Sequence, residues 1–564
     1  MNLLKVRSPE DGCSTDRPLF AVALYALFLC VVPLLAHGHF SGLGFNPTDD
    51  GFYLAFSRRL LEGQTPHRDF ITVRPVGSAI LHLPFVLLGG DHVFLISRLF
   101  VWFQFAWIAL AWTRIASRLL RIKRDPVAEL LIATIAFALC CHYFPVMVWS
   151  TIDGLFLSAT GLLLCLGKSR KSRALGYFLI GAAYVCKQNF AVLAPMAIVL
   201  LGHRRSLLAW VSVASPGLGY VAAMAIMGAL PDMCLQLASR ADFVTPGFLR
   251  FIWEYATAWG MLSGFVAGRL LWTRATSESG QDGARTRIAI PTGLLAITAA
   301  VLAASFSMGQ GRFLYAPSFG LFGMALGATL QFGVEGDGSS EAAPLGLLIV
   351  VSAWCAALSI GYNTPALATG LCVIYLLSLA RITVESVICR AIAVRSSAIL
   401  AIMTGLVMAN FISARKEYVY LDRPAKELSF PLDDVLPGGK GLRTNKNTYA
   451  FLADLNKAIV KVSDPRYAIL PDLAAYWVKS NQVNPLPMDW DQWVDLGNPE
   501  LLARVTDSLA TQRGSLTVIV QKVQAANLAK GFTALPESDR YAVAAYVRRH
   551  FTQVGETEFF TLYR

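Results

Sequence analysis

The sequence predicts a mainly α, polytopic membrane protein of about thirteen transmembrane helices, with juxtamembrane helices and a small C-terminal α/β soluble domain. Three observations carry this expectation. The 564 residues are 55% hydrophobic and 15% charged, with mean hydropathy +0.51, whereas a soluble domain holds about 25% charged residues. Apolar windows of about 17–25 residues, the length a bilayer requires, recur from Pro18 to Ile412. Beyond residue 412, Pro, Gly, Asn and charged residues are spread evenly. The expected division is therefore 1–412, a membrane domain with a first outer loop at 38–91, and 413–564, a soluble domain.

Residues 1–17 are polar and of mixed charge, and the apolar stretch after them ends at His37-Gly38-His39 without a small-residue cleavage site. Residues 18–37 therefore read as a retained first span. The basic clusters then set the orientation. Arg114, Arg118, Arg121, Lys123 and Arg124 form one, "KSRKSR" (168–173) a second, and His203-Arg204-Arg205 a third. More basic residues follow at Arg274, Arg285 and Arg287, and at Arg381, Arg390 and Arg395. The positive-inside rule puts all of them in the cytoplasm.

That choice excludes residues 76–90, "VGSAILHLPFVLLGG", as a span. They fall short of the roughly 20 residues needed to cross and contain Pro84, so they read as a juxtamembrane or re-entrant helix. The expected spans are 18–37, 92–118, 126–145, 152–167, 174–187, 189–203, 207–229, 253–272, 288–306, 313–333, 344–361, 364–381 and 396–412. With the N-terminus cytoplasmic, the first loop and the C-terminal domain both lie outside.

The net charge of +12 does not point to nucleic acid. From Arg415 onward there are 19 Lys and Arg against 17 Asp and Glu, so the excess sits in membrane loops and reports topology. All ten cysteines lie before residue 390, mostly in apolar segments, so the soluble domain has neither a disulfide nor a zinc motif.

Four features converge on the outer face. The first is Asp49-Asp50 in "PTDDGFY", with Tyr53 one helical turn on. Apolar residues at 52, 56, 60 and 61 mark a short amphipathic helix lying in the membrane interface. The aspartates read either as caps of that helix or as reactive carboxylates. The second is Arg74-Pro75, preceded by His67, Arg68 and Asp69. An Arg at a membrane boundary serves as an interfacial anchor or meets an anion. The third is Asp153 in "WSTIDGLF", either in the first turn of a capped helix or facing substrate. The fourth is Lys187 in "YVCKQNF", whose charge near the outer boundary calls for an anion, a lipid phosphate or a carboxylate of another span. Together they would set carboxylates and cations around one outward-facing cavity beside the lipid. A carboxylate there can act as general base on a hydroxyl, and a cation can stabilise a departing phosphate.

At these residues the chain resembles the GT-C superfamily of integral membrane glycosyltransferases, in particular the bacterial aminoarabinose transferases of lipid A and the protein O-mannosyltransferases. "PTDDGFY" matches the acidic pair followed by Tyr in the family's first outer loop. Asp49 takes the place of the catalytic base and Asp50 that of its neighbour, with either able to be the base. Arg74-Pro75 stands where the family carries Lys-Pro-Pro, with Arg for Lys and no second Pro. Asp153 corresponds to an acidic residue of the second outer loop. Cys186-Lys187-Gln188 stands at a Thr-Lys-Gly-Pro-like element, of which only the Lys is shared.

The resemblance implies inverting transfer of a monosaccharide from a polyprenyl-phosphate donor to an envelope acceptor, a glycan, lipid or protein. Asp49, Asp50 and Asp153 are then the catalytic carboxylates. Lys187 and Arg74 then bind the donor phosphate; Arg312, from the turn at 307–317, is a further candidate for the donor phosphate or a sugar, and Tyr53, Arg58, His67 and Gln188 are candidates for lining the substrate. No cofactor is required and no metal is expected, although a divalent ion near Asp49 and Asp153 stays open. The setting implied is the bacterial inner membrane, with the soluble domain in the periplasm.

Elsewhere, 230–252 reads as an outer loop in which Arg240, Asp242 and Arg250 are solvated or touch substrate. "SMGQGRFLYAP" (307–317) is a tight outer turn carrying Arg312, and its Gly-x-Gly lacks the strand–turn–helix setting of a nucleotide loop. In the soluble domain, 466–472, 515–522 and 558–564 read as strands, and 447–462, 499–512 and 538–550 as helices. The aromatic "NPLPMDWDQW" (484–493) reads as core packing or as a sugar-stacking surface. Two other classes compete. A flippase of a polyprenyl-linked sugar would show internal repeats and midplane charges, and a membrane scaffold would need far fewer spans.

Overall fold

The computed structural model describes residues 17–142, 145–239, 244–275, 315–335, 341–357, 364–385, 390–462, 464 and 466–564. The first helix, α1 (Arg17–Ala36), is apolar on all sides and largely exposed, as a lipid-facing helix must be. The first loop holds α2 (Phe52–Leu61) and α3 (Gly77–Leu88). Then follow α4 (Val93–Leu119), α5 (Pro126–Cys140), α6 (Ser150–Cys165) and α7 (Arg170–Cys186). After a 3₁₀ turn at Gln188–Val192 come α8 (Leu193–Leu200), α9 (Leu207–Ile226), α10 (Leu230–Ala238), α11 (Val244–Trp253) and α12 (Tyr255–Ala275). The last four helices of this part are α13 (Tyr315–Glu335), α14 (Ala342–Ala357), α15 (Thr369–Glu385) and α16 (Arg390–Glu417).

Each expected span except 288–306 falls on one of these helices; 288–306 lies outside the described residues, as do Arg240, Asp242, Gln310 and Arg312. Among the described residues, five helical segments are long and apolar enough to cross a bilayer, and five more apolar helices are shorter. This is a multi-pass helical membrane part. Residues 77–88 form the short helix expected there, too short to cross.

The core runs along α4. Trp102 and Trp112 are fully buried on it, and α1, α5, α6 and α15 pack around it. At one end Arg114 donates to the buried Glu129 at 2.7 Å, and Tyr25 of α1 donates to the same carboxylate. Asp125 caps α5 beside them, accepting from the amides of Val127 and Ala128, with Pro126 at the first helical position.

The C-terminal part carries α17 (Lys446–Val460), α18 (Pro499–Thr511) and α19 (Ala542–His550). Two short strands, β1 (Phe430–Pro431) and β2 (Arg443–Thr444), pair antiparallel. A mixed sheet holds β3 (Tyr467–Leu470), β4 (Thr517–Gln521), β5 (Gln553–Glu556) and β6 (Phe560–Tyr563) in the order β3-β4-β6-β5. β3 and β4 run parallel, and β6 pairs antiparallel with both β4 and β5. Asn445 and Asn498 cap α17 and α18, each accepting from helix N–H groups.

One expectation about the first loop is corrected. α2 does not lie in a membrane interface: Phe52, Tyr53, Leu54, Ala55, Phe56, Ser57 and Arg59 are all buried. Its apolar side packs on α3, and the C-terminal part closes over it at 474–477. Nor do the aspartates cap it. The cap position is Gly51, at φ +85°, and no side chain bonds the free amides. A Cβ on Gly51 would stand 2.7 Å from Cα of Ala475, so glycine serves both the turn and the close approach.

Candidate functional site

The acidic loop is an Asx turn. Oδ1 of Asn46 accepts the amides of Thr48 and Asp49 at 3.2 and 3.1 Å, which turns the chain and sets the two aspartates side by side. Their surroundings then divide them. Asp50 is buried; one of its oxygens accepts from Arg98 at 2.9 Å and the other from the amide of Asn46 at 2.9 Å. Arg98 also donates to the carbonyls of Ser41 and Gly44. Stripping Arg98 away would strand a buried carboxylate at a cost of about 3–5 kcal/mol. Asp50 is locked.

Asp49 is half-buried. Among the described residues, one side chain bonds its carboxylate: Tyr420, whose hydroxyl donates to Oδ2 at 2.8 Å. Burial pushes the Asp49 carboxyl up to about 6, the Tyr420 bond works against that rise, and the negative charge of Asp50 adds to it. A carboxylate with this pKa is ionised at neutral pH yet basic enough to accept a proton.

Beside the pair lies a small open cavity of about 30 Å³, lined by Asp50, Arg98, Arg415 and Tyr420 and by apolar groups including Phe40 and Met147. Arg415 stacks over the rings of Trp102 and Phe40. Two guanidinium groups thus face one cavity with apolar walls, next to the acidic pair.

The other expected residues lie apart from that cavity. Tyr53 is buried and donates to Oγ of Ser150 at 2.7 Å; burial raises its pKa, and the nearby Arg74 cation opposes the rise. The Arg74 guanidinium makes no hydrogen bond or ion pair among the described residues. Lys187, at the C-terminal end of α7, is buried and donates to Oγ1 of Thr151 at 2.7 Å. Gln188 donates to the carbonyl of Val73. Arg74, Lys187 and Gln188 therefore meet at the start of α3.

Asp153 is fully buried, accepting from Gln104 at 2.7 Å with His82 at 3.0 Å, and it makes no hydrogen bond with Asp49. Arg58 pairs with Glu62 on the surface of α2. His67 is fully buried at φ +66°, its ring nitrogens tied to Gln236 and Tyr220 at 2.9 and 2.6 Å. Burial lowers its pKa to about 4, so it stays neutral. Arg58 and His67 are thus engaged in the scaffold rather than lining the cavity. Among the described residues no group of three His, Cys, Asp or Glu is gathered for a metal ion.

Sequence reasoning missed that the C-terminal part and the segment leading to it help build this site. Trp490, in the aromatic stretch 484–493, donates from its indole to the carbonyl of Thr48 at 2.8 Å, and its ring centroid stands 4.1 Å from that of Phe52. The aromatic residue thus packs behind the acidic turn. Arg59 of α2 forms a buried two-point pair with Asp489, both bonds 2.8 Å, and also donates to the carbonyls of Leu486 and Met488. Asp472, after β3, lies close enough to Asp49 to feel its charge. Burial pushes Asp472 up to about 8; Gln492 opposes that rise and Asp49 adds to it. One signal was available: Arg98 is a lone cation inside an apolar run, "FLISRLFVWF".

No protein-family model matches the chain, and no curated protein matches it by sequence. Several solved structures are similar. ArnT from Cupriavidus metallidurans, bound to undecaprenyl phosphate, shares 10% identity over 98% of each chain at a TM-score of 0.41. The Archaeoglobus fulgidus oligosaccharyltransferase AglB, in complex with an inhibitory peptide and a dolichol-phosphate, shares 9% identity over 90% of this chain and 70% of its own at 0.43. The arabinosyltransferase EmbB from Mycobacterium smegmatis shares 12% over 73% and 42% at 0.31. Likenesses of this size leave the activity of the chain to be argued from its own residues.

Proposed function

We propose that this protein is an integral membrane glycosyltransferase that moves a monosaccharide from a polyprenyl-phosphate donor to a hydroxyl of an envelope acceptor. The observation that carries the reading is the division of labour within the acidic pair. Asp50 is consumed by Arg98 and the loop backbone, whereas Asp49 keeps one oxygen outside its hydrogen bond to Tyr420. Asp49 is therefore the base and Asp50 the anchor.

In this reading the free oxygen of Asp49 takes the acceptor proton as the acceptor oxygen bonds to the anomeric carbon. The bond from that carbon to the phosphate oxygen breaks on the opposite face, and the electron pair leaves with polyprenyl phosphate. Configuration inverts. The phosphate carries its own charge away and needs cations rather than a general acid, and Arg74 and Lys187 are the pair assigned to it. Arg312, outside the described residues, keeps the same assignment. Asp153, held by His82 and Gln104 and two residues from the Thr151 that receives Lys187, orients that cationic side instead of meeting the acceptor. Tyr53 and Gln188 are assigned to the substrate lining between the two sides.

The setting is a bacterial inner membrane, with the acidic loop and the soluble domain on its outer face, opposite the basic loops. The acceptor class is a glycan, a lipid or a protein. The test is release of polyprenyl phosphate by purified protein in lipid, with a panel of polyprenyl-phosphate sugars and an envelope extract as acceptor. Acceptor-dependent release that Asp49→Asn abolishes, and that Asp50→Asn reduces together with thermal stability, supports the assignment. Equal release from wild type and Asp49→Asn overturns it.

A further inference from the structure

The segment between the last membrane helix and the soluble domain has a geometry that its role as a connector does not require. Leaving α16 at Glu417, the chain turns at Val419–Asp422, with the amide of Asp422 donating to the carbonyl of Val419 and Leu421 at φ +49°. Asp422 then fixes the turn at three points. It accepts from the amide of Phe45 at 3.0 Å, from Oγ1 of Thr444 at 2.8 Å and from Nδ2 of Asn445 at 2.6 Å. The first partner belongs to the acidic loop, and the other two to the start of the soluble domain. Val419 meanwhile lies so close to Gly44, itself at φ +81°, that a Cβ there would overlap its methyl group. The turn therefore has little freedom, and its one remaining polar side chain, Tyr420, points at Asp49.

We propose that Tyr420 is a positioning residue for the catalytic carboxylate: its hydroxyl holds Oδ2 of Asp49 and leaves Oδ1 to receive the acceptor proton. This rests on Asp49 being the base. The linker thereby makes the base depend on the seating of the soluble domain, because Asp422, two residues on, is bonded to both.

The charged and titratable groups around Asp49 come from five places. Asp50 from its own loop is neutralised by Arg98 of α4. Arg415, near the end of α16, lines the adjoining cavity. Tyr418 and Tyr420 come from the linker, and Asp472 from the soluble domain. Among these, only Tyr420 donates directly to the carboxylate, so removing its hydroxyl withdraws a bond that favours the ionised form. The Asp49 pKa must then rise.

The experiment is the pH–rate profile of wild type, Tyr420→Phe and a protein carrying 3,5-difluorotyrosine at position 420, with Asp49→Asn as reference. Tyr420→Phe is expected to move the acid limb upward by about one to two pH units, and to lower kcat at pH 7 about tenfold with KM nearly unchanged. The fluorinated phenol is a stronger donor and keeps the packing, so it is expected to move the limb down. A merely structural tyrosine would change stability but not the limb. If Asp49→Asn is inactive while both Tyr420 variants keep the wild-type limb, the positioning role is overturned and the base stands. If Asp49→Asn is active, the base assignment fails first. Should Tyr420→Phe not fold, the fluorinated protein alone decides, by a downward shift or by none.

Discussion

The pair between Arg59 and Asp489 offers the sharpest test of how the soluble domain is held on the acidic loop. Both side chains are almost fully buried, at 2% and 0% exposure, and they meet through two bonds of 2.8 Å. Arg59 also serves the carbonyls of Leu486 and Met488, and Gln64 through its remaining nitrogen. Arg59→Leu would leave Asp489 buried with Asn484 as its one remaining side-chain partner, a loss of about 3–5 kcal/mol. That is two to three and a half powers of ten in the folding equilibrium at about 1.4 kcal/mol per tenfold. Asp489→Leu in the same background removes the stranded charge, and the double variant should recover most of the loss, since buried pairs replaced by apolar residues are often neutral. The assay is a double-mutant cycle of denaturant unfolding in detergent, followed by protease protection of residues 484–493. A loss below about 1 kcal/mol for Arg59→Leu, or a double variant no better than the single one, would refute the claim that this pair carries the docking.

Further predictions concern the same interface and the base. If Asp49 is the base, activity should fall as pH drops through about 6, the value to which burial raises its pKa; a profile flat from pH 5 to 8 contradicts this. Trp490→Ala should cost about 3–5 kcal/mol through loss of the ring packed on Phe52. Trp490→Phe should cost only about 1 kcal/mol, for the bond to Thr48, as chemical unfolding can measure. Asp472 and Asp491 have folded pKa values raised to about 8 and about 7 by burial. The folded chain therefore keeps protons that the unfolded chain has released above about pH 4. Stability should decline from about pH 4 toward pH 8, and Asp472→Asn should flatten that slope in thermal unfolding. Arg74→Ala should raise the KM for donor about tenfold or more, with a smaller change in kcat, if its guanidinium meets the donor phosphate in the ground state.

Local patterns were legible where one element decided them. Apolar runs placed the membrane helices, and strand-like and helix-like runs placed β3, β4, β6 and the helices α17, α18 and α19. The proximity of Asp49 and Asp50 was visible, because adjacent residues need no fold to bring them together. Their different roles were not, since that difference comes from Arg98, 48 positions on, and Tyr420, 371 positions on. The apolar face of α2 was read correctly as a face and wrongly as meeting lipid. Periodicity shows that a side is buried, not what buries it, and here α3 and the C-terminal part do. The aromatic stretch 484–493 joined the interior as packing for the same reason: Trp490 finds Phe52 and Thr48 only once both domains are assembled. His67, polar and in a loop, looked like a group facing substrate, yet two partners from α9 and α10 hold it inside.

The central claim is that a sugar leaves its lipid here. The most direct measurement follows a polyprenyl-phosphate sugar labelled in the sugar, with protein in sealed vesicles and acceptor supplied only on the side of the soluble domain. The account predicts that label appears on the acceptor one for one with free polyprenyl phosphate, and that Asp49→Asn stops both. Label that stays on its lipid and merely changes leaflet, equally in wild type and Asp49→Asn, would contradict it and make the protein a carrier.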